Sequence, residues 1–151
     1  MAIAVLSDAE EILALQKLAF IAEAEIYNDF SIAPLVQTIE DLKRDFSQKI
    51  IIKKVVGENI IGSVRGYTKD RTCHIGRLMV HPDFQNKGIG TALMFEIETM
   101  LRPQCDRFEI FTGQKSDKNI SLYKKLGYRV FETKNITPDL QFVYMDKHVN
   151  P

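Results

Sequence analysis

The stretch HPDFQNKGIG, residues 81–90, joins two segments of different character. An apolar run at residues 78–80 precedes it and indicates the end of a strand, whereas residues 91–95 (TALMF) begin a helical pattern. Gly88 and Gly90 permit left-handed backbone angles and let a ligand approach the main chain closely. Because the first amides of a helix have no intrahelical partner and carry the positive end of its dipole, the stretch predicts an anion-binding loop.

Lys87 and Gln85 favour this interpretation, since the lysine adds positive charge and the glutamine amide can fix the loop. The alternative is a tight turn without a ligand, which two glycines alone also fit. A dinucleotide-binding fingerprint requires a third glycine where Leu93 stands, and a P-loop requires Lys-Ser or Lys-Thr where Thr91 and Ala92 stand. Both familiar nucleotide motifs are therefore excluded.

Hydrophobic periodicity and turn signals divide the chain into seven strands and about four helices. The predicted order is strand, two helices, three strands, helix, strand, helix and two strands. This order indicates an α/β (α+β) domain with a mixed seven-stranded sheet and a parallel crossover at its centre. The predicted strands cover residues 2–6, 49–56, 60–67, 72–80, 107–112, 128–133 and 140–146, and the predicted helices cover 7–28, 35–46, 88–101 and 116–126.

The first predicted helix opens with a capping box at residues 7–10 (SDAE), in which the serine and glutamate side chains would bond each other's free amides. Its apolar residues recur at helical spacing, which predicts one buried face. Residues 57–59 (GEN) separate the second and third strands and predict a hairpin. The apolar face of the first helix comprises Ile12, Leu15, Ala19 and Ile26.

The composition is that of an ordinary globular protein of 151 residues, with 45% hydrophobic and 26% charged residues, and this length suits a single domain, residues 1–151. Lys plus Arg and Asp plus Glu number 20 each, so the net charge is zero, which argues against nucleic acid or a membrane as a partner. The acidic first residues and the lack of a long apolar stretch predict a cytoplasmic location. Cys73 and Cys105 are expected to be free, buried thiols.

Gln85 to Gly90 resembles the Q/R-x-x-G-x-G/A motif of the GNAT superfamily of acetyl-CoA-dependent N-acetyltransferases. Residues 119–131 (NISLYKKLGYRVF) resemble the second signature of that family, Asn-x-x-x-Tyr-x-x-x-Gly-Phe/Tyr, and lie one strand downstream, as the family requires. The predicted order of strands and helices is also similar to the family fold. The resemblance covers nearly the whole chain and implies a single-domain GNAT fold.

The same resemblance implies acetyl-CoA as the cofactor. In this family the glycine loop binds the pyrophosphate of coenzyme A, and the pantetheine arm pairs with the preceding strand like an added strand. By this comparison Asn119 contacts the pantetheine arm or the adenosine part, and Tyr123 reaches the thioester sulfur. The implied cofactor-binding residues are Leu78, Met79, Val80, Gln85, Asn86, Lys87, Gly88, Ile89, Gly90, Thr91, Asn119 and Tyr123.

Tyr123 is the predicted general acid, which would give a proton to the departing thiolate. Asn119 and Tyr123 are four residues apart and so share one helix face, as two groups that touch one extended ligand must. The alternative interpretation of Tyr123 is an amphipathic residue of the core.

The acceptor amine requires a base or a desolvating pocket, because an alkylammonium with a pKa of about 10.4 is neutral roughly once in 2500 at pH 7. His74 occupies the place where some family members carry a catalytic glutamate, and strand alternation would set it on the same face as Leu78 and Val80. Its imidazole could accept a proton directly or through water. A structural histidine is the alternative.

Glu23 and Glu25, late in the first predicted helix, are rival bases and candidate contacts for a substrate ammonium, because the first two helices border the acceptor site in the family. Tyr27 and Arg65 are candidate lining residues of the same pocket. The alternative for each of the four is a solvated surface side chain.

These features predict an acetyl-CoA-dependent N-acetyltransferase that moves the acetyl group directly to a primary amine of a small molecule or a protein. One alternative is a non-catalytic acyl-CoA-binding sensor of the same fold. Another is an α/β phosphate binder for nucleoside triphosphates, which the lack of an Asp or Glu motif for magnesium disfavours. No metal site is predicted, and the sheet edges make a homodimer plausible.

Overall fold

Seven strands form one mixed sheet in the computed structural model, which describes residues 1–149. They are β1 (Ala2–Ile3), β2 (Ile50–Val56), β3 (Asn59–Lys69), β4 (Thr72–Val80), β5 (Arg107–Gly113), β6 (Arg129–Thr137) and β7 (Leu140–His148). Their order across the sheet is β1-β2-β3-β4-β5-β7-β6. β4 and β5 run parallel and all other neighbours are antiparallel, as predicted, although β1 is shorter than the predicted strand.

Two helices that were predicted as continuous are each broken in two. The helices are α1 (Ala9–Ala19), α2 (Ile21–Tyr27), α3 (Ala33–Val36), α4 (Ile39–Gln48), α5 (Ile89–Leu101) and α6 (Asp117–Lys125). The first break falls at Phe20, and the second precedes Thr38, whose Oγ1 accepts a hydrogen bond from Asp41 N at 3.2 Å. Thr38 is therefore the N-cap of a separate helix, α4, and does not continue α3.

The predicted capping box at residues 7–10 does not form. Asp8 Oδ2 instead accepts hydrogen bonds from Val5 N at 2.8 Å and from Lys53 Nζ at 2.9 Å, so the aspartate closes the turn before α1. The predicted apolar face also ends early. Ile26 is 44% exposed, because the break between α1 and α2 removes it from the buried stripe.

Helices cover both faces of the first four strands. The core on one face, here the α5-side core, lies between the sheet and α5 and α6, and the core on the other face lies between the sheet and α1 and α4. Cys73 and Cys105 are buried as free thiols in the α5-side core, as predicted. The α5-side core includes Val64, Ile75, Leu93, Ile97 and Phe108, and the opposite core includes Ile12, Leu15, Leu42, Ile51 and Met79.

The ladder between β4 and β5 is short. Residues 72–74 pair with residues 107–109, and the ladder ends there although β4 continues to Val80 and β5 to Gly113. Beyond it β4 stays paired with β3, and β5 stays paired with β7. The facing main-chain groups of the two strands are therefore left without a ladder partner in the centre of the sheet.

None of the helices in residues 1–149 combines the length and the apolar character that a membrane crossing requires.

Candidate active site

An open cleft of about 810 Å³ begins where the β4–β5 ladder ends. It is lined by both strands and by residues of α2, α4, α6 and the β6–β7 hairpin. Glu25 lies outside it with an exposed side chain, so the structure does not support a substrate contact at this residue. The cleft brings together seven residues that were predicted from the sequence, namely Glu23, Tyr27, Arg65, His74, Leu78, Asn119 and Tyr123.

A bulge in β4 sets the directions of the side chains along this strand. Two residues, Arg77 and Leu78, oppose a single residue of β3, and Arg77 takes a left-handed φ of 49°. The extra residue reverses the alternation, so Leu78 packs in the α5-side core together with Cys73 and Ile75. His74 lies between those two residues and points to the opposite face. The prediction that His74 and Leu78 share a face is therefore wrong.

The segment 78–80 can serve a ligand mainly through its main chain. Leu78 and Val80 pack against the α5-side core, and Met79 is 2% exposed in the opposite core. Their side chains are thus committed to packing. On the side that faces β5, however, the main chain of this segment has no ladder partner, which leaves its amides and carbonyls available to an extended molecule.

The glycine loop needs a left-handed conformation at only one of its two glycines. Gly88 is the N-cap of α5 and has a φ of 79°, whereas Gly90 lies in the first helical turn without a positive φ, so the expectation for Gly90 is wrong. A Cβ at Gly90 would meet no protein atom closer than 3.7 Å. The protein's own packing therefore does not require glycine at this position, and the missing side chain keeps the loop surface open.

The first amides of α5 remain available to a ligand, because no side chain in residues 1–149 caps this helix. Gln85 Nε2 donates a hydrogen bond to Val80 O at 3.1 Å and fixes the loop against the end of β4, as predicted. Lys87 Nζ lies 5.5 Å from the ring centroid of Phe84. The loop lies at the end of β4 and does not itself line the cleft.

Tyr123 lines the cleft from α6 and is 4% exposed. Burial raises the pKa of its phenol, and the negative charge of Glu23 raises it further. No group in residues 1–149 forms a hydrogen bond with the hydroxyl. A phenol that stays protonated at neutral pH and has no internal partner can donate to a molecule in the cleft.

Glu23 connects α2 to α6. Its Oε2 accepts a hydrogen bond from Ser116 Oγ at 2.6 Å, and its Oε1 accepts one from Asn119 Nδ2 at 3.2 Å. Asn119 Nδ2 also donates to Thr112 Oγ1 at 3.2 Å. The amide nitrogen of Asn119 is thus held by the protein, which leaves its carbonyl oxygen to accept a bond from a ligand.

Tyr27 bonds to the same group of side chains, and its hydroxyl occupies the space that a side chain at Gly113 in β5 would need. The Tyr27 hydroxyl lies 2.7 Å from Ser116 Oγ and accepts a hydrogen bond from Lys115 N at 3.1 Å. A Cβ on Gly113 would lie 1.9 Å from this hydroxyl, so the tyrosine fits only against glycine. Burial is the main cause that raises the pKa of Tyr27.

His74 lies at the start of the cleft, between two side chains. Its ring stacks on Tyr67 with centroids 4.9 Å apart, and its Nδ1 lies 3.4 Å from Glu109 Oε2. Glu109 is also paired with Arg107 Nη2 at 3.0 Å. The carboxylate can therefore orient the imidazole while its own charge is balanced by the arginine.

Arg65 has a largely internal role. It is 2% exposed, and its guanidinium donates to Gln16, to Gln37 at 3.2 Å and to Asp45 at 3.3 Å. Burial lowers the pKa of Arg65 to about 10, and the negative charge of Asp45 partly opposes this. The side chain stays cationic at neutral pH and lines the cleft with most of its donors already used.

The sequence analysis did not single out Tyr67, Glu109 and Thr112, which line the cleft, or Ser116, which bonds to Glu23 beside it. Tyr67 and Glu109 are the register partners of His74 on its two neighbouring strands, so a correct alignment of the predicted strands would have found them. Ser116 opens the predicted fourth helix, but its hydroxyl bonds to Glu23 and does not cap α6. The bond from Ser116 to Glu23 could not be read from the sequence, because it depends on how α2 packs against α6.

Comparison with known proteins gives the family. The model of the Acetyltransferase (GNAT) family matches residues 10–128. The chain therefore belongs to this family, which confirms the resemblance and the acetyltransferase class that the sequence motifs predict.

Two relatives are similar in sequence. UPF0157 protein YqkA of Bacillus subtilis (strain 168) is 32% identical over 126 residues, which cover 83% of this chain but only 36% of that protein. Acetyltransferase ECA0875 of Pectobacterium atrosepticum is 29% identical over 106 residues, which cover 65% of this chain and 74% of that protein. The chain thus spans about a third of the length of YqkA.

Solved structures share the fold, which confirms the predicted fold class. The structure of smu.2055 from Streptococcus mutans UA159 has a TM-score of 0.83 at 18% identity and covers 97% of both chains. The ribosomal-protein-S18-alanine N-acetyltransferase from Escherichia coli has a TM-score of 0.81 at 13% identity, covering 99% of this chain and 93% of that one. A GNAT family acetyltransferase from Elizabethkingia anophelis, solved with acetyl-CoA bound, has a TM-score of 0.65 at 20% identity, covering 74% and 84%.

Proposed function

We propose that this protein transfers the acetyl group of acetyl-CoA directly to a primary amine of a small molecule or a protein. The observation that carries the proposal is the cleft between β4 and β5, which holds the buried phenol of Tyr123 and runs along unpaired main chain toward the start of α5. Family membership gives the acetyltransferase class. The reaction also needs a site for acetyl-CoA, an acid for the departing thiolate and a base for the acceptor amine, and residues in and beside this cleft suit each of these roles.

Acetyl-CoA supplies the acetyl group as an activated thioester, and the site fits its parts. The uncapped amides at the start of α5, with Lys87 beside them, suit the pyrophosphate. The unpaired main chain of residues 76–80 suits the pantetheine arm, whose amides can bond to it like an added strand. The acetyl-CoA in the similar structure from Elizabethkingia anophelis supports this assignment.

Tyr123 is the proposed general acid, because transfer of the acetyl group leaves a thiolate that takes up a proton. Its raised pKa keeps the phenol protonated, and no internal acceptor in residues 1–149 competes for the hydrogen. Asn119 lies one turn earlier on the same helix and would orient the pantetheine arm through its free carbonyl oxygen.

His74 is the proposed base for the acceptor amine. The carboxylate of Glu109, 3.4 Å from Nδ1 of His74, can orient the imidazole so that Nε2 is the atom that takes a proton from the amine. Glu23 is the weaker candidate, because both of its oxygens already accept hydrogen bonds from Ser116 and Asn119.

Direct transfer is favoured because no cysteine among residues 1–149 lines the cleft. Cys73 and Cys105 are both buried in the α5-side core. Burial raises the pKa of Cys73 to about 12 and also raises that of Cys105, so neither thiol is a nucleophile at neutral pH.

Thiol release from acetyl-CoA in the presence of a library of amines tests the proposal. We expect at least one amine to accelerate release, and Tyr123→Phe to lower kcat by roughly 100- to 10,000-fold without loss of coenzyme A binding. A thermal shift with coenzyme A, set against one with ATP, serves as the binding control. Stabilisation by coenzyme A without thiol release for any amine would contradict the proposal and identify a sensor.

A cytoplasmic location and a homodimer stay predictions.

A further inference from the structure

Arg77 stands out among the charged residues of the cleft. It lines the cleft at the bulge of β4, and within residues 1–149 its guanidinium forms no hydrogen bond or ion pair. Its Nε is buried and has no hydrogen-bond partner. A cation that is largely removed from water and has no direct partner costs free energy, which a bound anion would offset.

The carboxylates that attract Arg77 are engaged by other residues. Asp41 and Asp45 of α4 both act on Arg77 electrostatically, without direct contact. Asp41 is paired with Arg44 at 2.6 Å, and Asp45 is paired with Arg65 at 3.3 Å. Neither carboxylate is therefore free to take the guanidinium of Arg77 as its main partner.

A second buried guanidinium increases the positive charge on this side of the cleft. Arg65 is 2% exposed, its Nε also lacks a hydrogen-bond partner, and the charge of Arg77 contributes to lowering its pKa. Lys49 lines the same region and shares Asp45 with Arg65. Glu23, Asp29 and Glu109 also line the cleft, but the carboxylates that act on Arg77 are Asp41 and Asp45, and both are engaged by other cations. The guanidinium of Arg77 can therefore take an anionic group of the molecule that binds here.

The position of Arg77 separates it from the proposed pyrophosphate site. The charged groups that act on it belong to α4 and β3, on the face of the sheet opposite α5. The anion that would bind Arg77 is therefore not the pyrophosphate at the start of α5. It belongs to the acceptor, which enters on the side of His74.

We propose that Arg77 binds a carboxylate of the acceptor, so that the acceptor is a small amine that also carries a carboxylate, as amino acids do. This inference rests on the proposed acetyltransferase activity. A guanidinium binds a carboxylate through two parallel hydrogen bonds, which also orients it. His74 lies three residues before Arg77 on β4 and both line the cleft, so the proposed base and the guanidinium can reach the amine and the carboxylate of one small acceptor from the same strand.

Matched acceptor pairs test the inference. Thiol release from acetyl-CoA is measured with α-amino acids and with 4-aminobutyrate, each paired with its carboxamide, which keeps the amine and loses the negative charge. We expect kcat/KM to be roughly 10- to 100-fold higher for at least one acid than for its amide. Arg77→Gln should abolish this preference, mainly through KM for the acid, and Arg77→Lys should retain part of it.

Coenzyme A affinity and Arg129→Gln are the controls. Arg129 is exposed on β6 and outside the cleft, so its substitution should leave the preference for the acid unchanged. Coenzyme A affinity should be the same in all variants. A wild type that uses acid and amide equally, or an Arg77→Gln variant that keeps the preference, would overturn the inference but not the acetyltransferase activity. Absence of thiol release with every amine would instead contradict the proposed function itself.

Discussion

Glu23 links most of the polar side chains around the proposed acid. It accepts hydrogen bonds from Ser116 and Asn119, and its charge raises the pKa of Tyr123. One carboxylate thus orients a proposed cofactor contact and helps to keep the proposed acid protonated. The sequence suggested a rival base, a contact for a substrate ammonium or a surface side chain at this position, because the approach of α2 to the β5–α6 junction is a matter of tertiary packing.

The raised pKa of Tyr123 predicts how activity depends on pH. A general acid works only while it carries its proton, and the pKa of this phenol lies above its ordinary value of about 10. We therefore expect no loss of kcat through ionisation of Tyr123 between pH 7 and pH 10. The kcat of the wild type and of Tyr123→Phe is measured across this range. A decline below pH 9 that is present in the wild type and missing in Tyr123→Phe would contradict the raised pKa of this phenol.

The close packing at Gly113 predicts that a larger residue at this position destabilises the protein. An added Cβ would lie 1.9 Å from the Tyr27 hydroxyl, so Gly113→Ala must displace the ring and break its contacts with Ser116 and Lys115. We expect the free energy of unfolding to fall by about 1–3 kcal/mol, measured by urea denaturation. Gly76→Ala is the matched control, since a Cβ there meets no atom within 4 Å. Equal stability of the two variants would show that Tyr27 does not pack as described.

Among the elements, α5 combines two features that a phosphate site needs. Its first turn has no side-chain cap, and the residue before it takes a left-handed conformation that turns the chain from β4 into the helix. The bulge in β4 has a separate effect, because it leaves Arg77 in the cleft with His74 while Leu78 packs beneath α5. The proposed cofactor side and the proposed acceptor side of the site therefore lie on opposite faces of the same strand.

Substitution of Gly88 tests whether the start of α5 binds the pyrophosphate of coenzyme A. Gly57 has a similar backbone geometry and is the control. Gly88 and Gly57 have φ values of 79° and 62°, and a Cβ at either position meets no atom within 4 Å. Alanine at each should therefore destabilise the protein by a similar amount, about 1–2 kcal/mol. Only Gly88→Ala should also weaken coenzyme A binding, measured by calorimetry. Equal affinity of the two variants would contradict a pyrophosphate site at α5.

Local patterns predicted most of the elements. The bounds of β2, β4, β5, α5 and α6 follow from apolar runs and turn residues and lie within about two residues of the prediction. The start of α4 was also readable, because Thr38 and Asp41 form a capping pattern. The break at Phe20 has no glycine or proline to signal it. Gly76 marks an irregular place in β4, but nothing local selects Arg77 as the left-handed residue.

For the molecule as a whole, the sequence located the residues of the proposed cofactor side better than those of the proposed acceptor side. The glycine loop, Asn119 and Tyr123 belong to short contiguous motifs, so their placement follows from the fold. Tyr67, Glu109 and Arg77 enter the site through strand register and one bulge, and these depend on pairing across the sheet. The proposed acceptor side of the site therefore depends on contacts that no single segment encodes.

The short β4–β5 ladder has a mechanical consequence. Within residues 1–149, the ladder that joins the first four strands to the last three comprises only residues 72–74 and 107–109, so this short ladder can act as a hinge between the two parts of the sheet. The seven residues from His74 to Val80 span roughly 20 Å from this ladder to the far end of β4. A rotation of about 10° around this hinge would change the gap at the far end by roughly 3 Å. Admission and release of a bulky donor can thus follow from a small tilt, without unfolding of any strand.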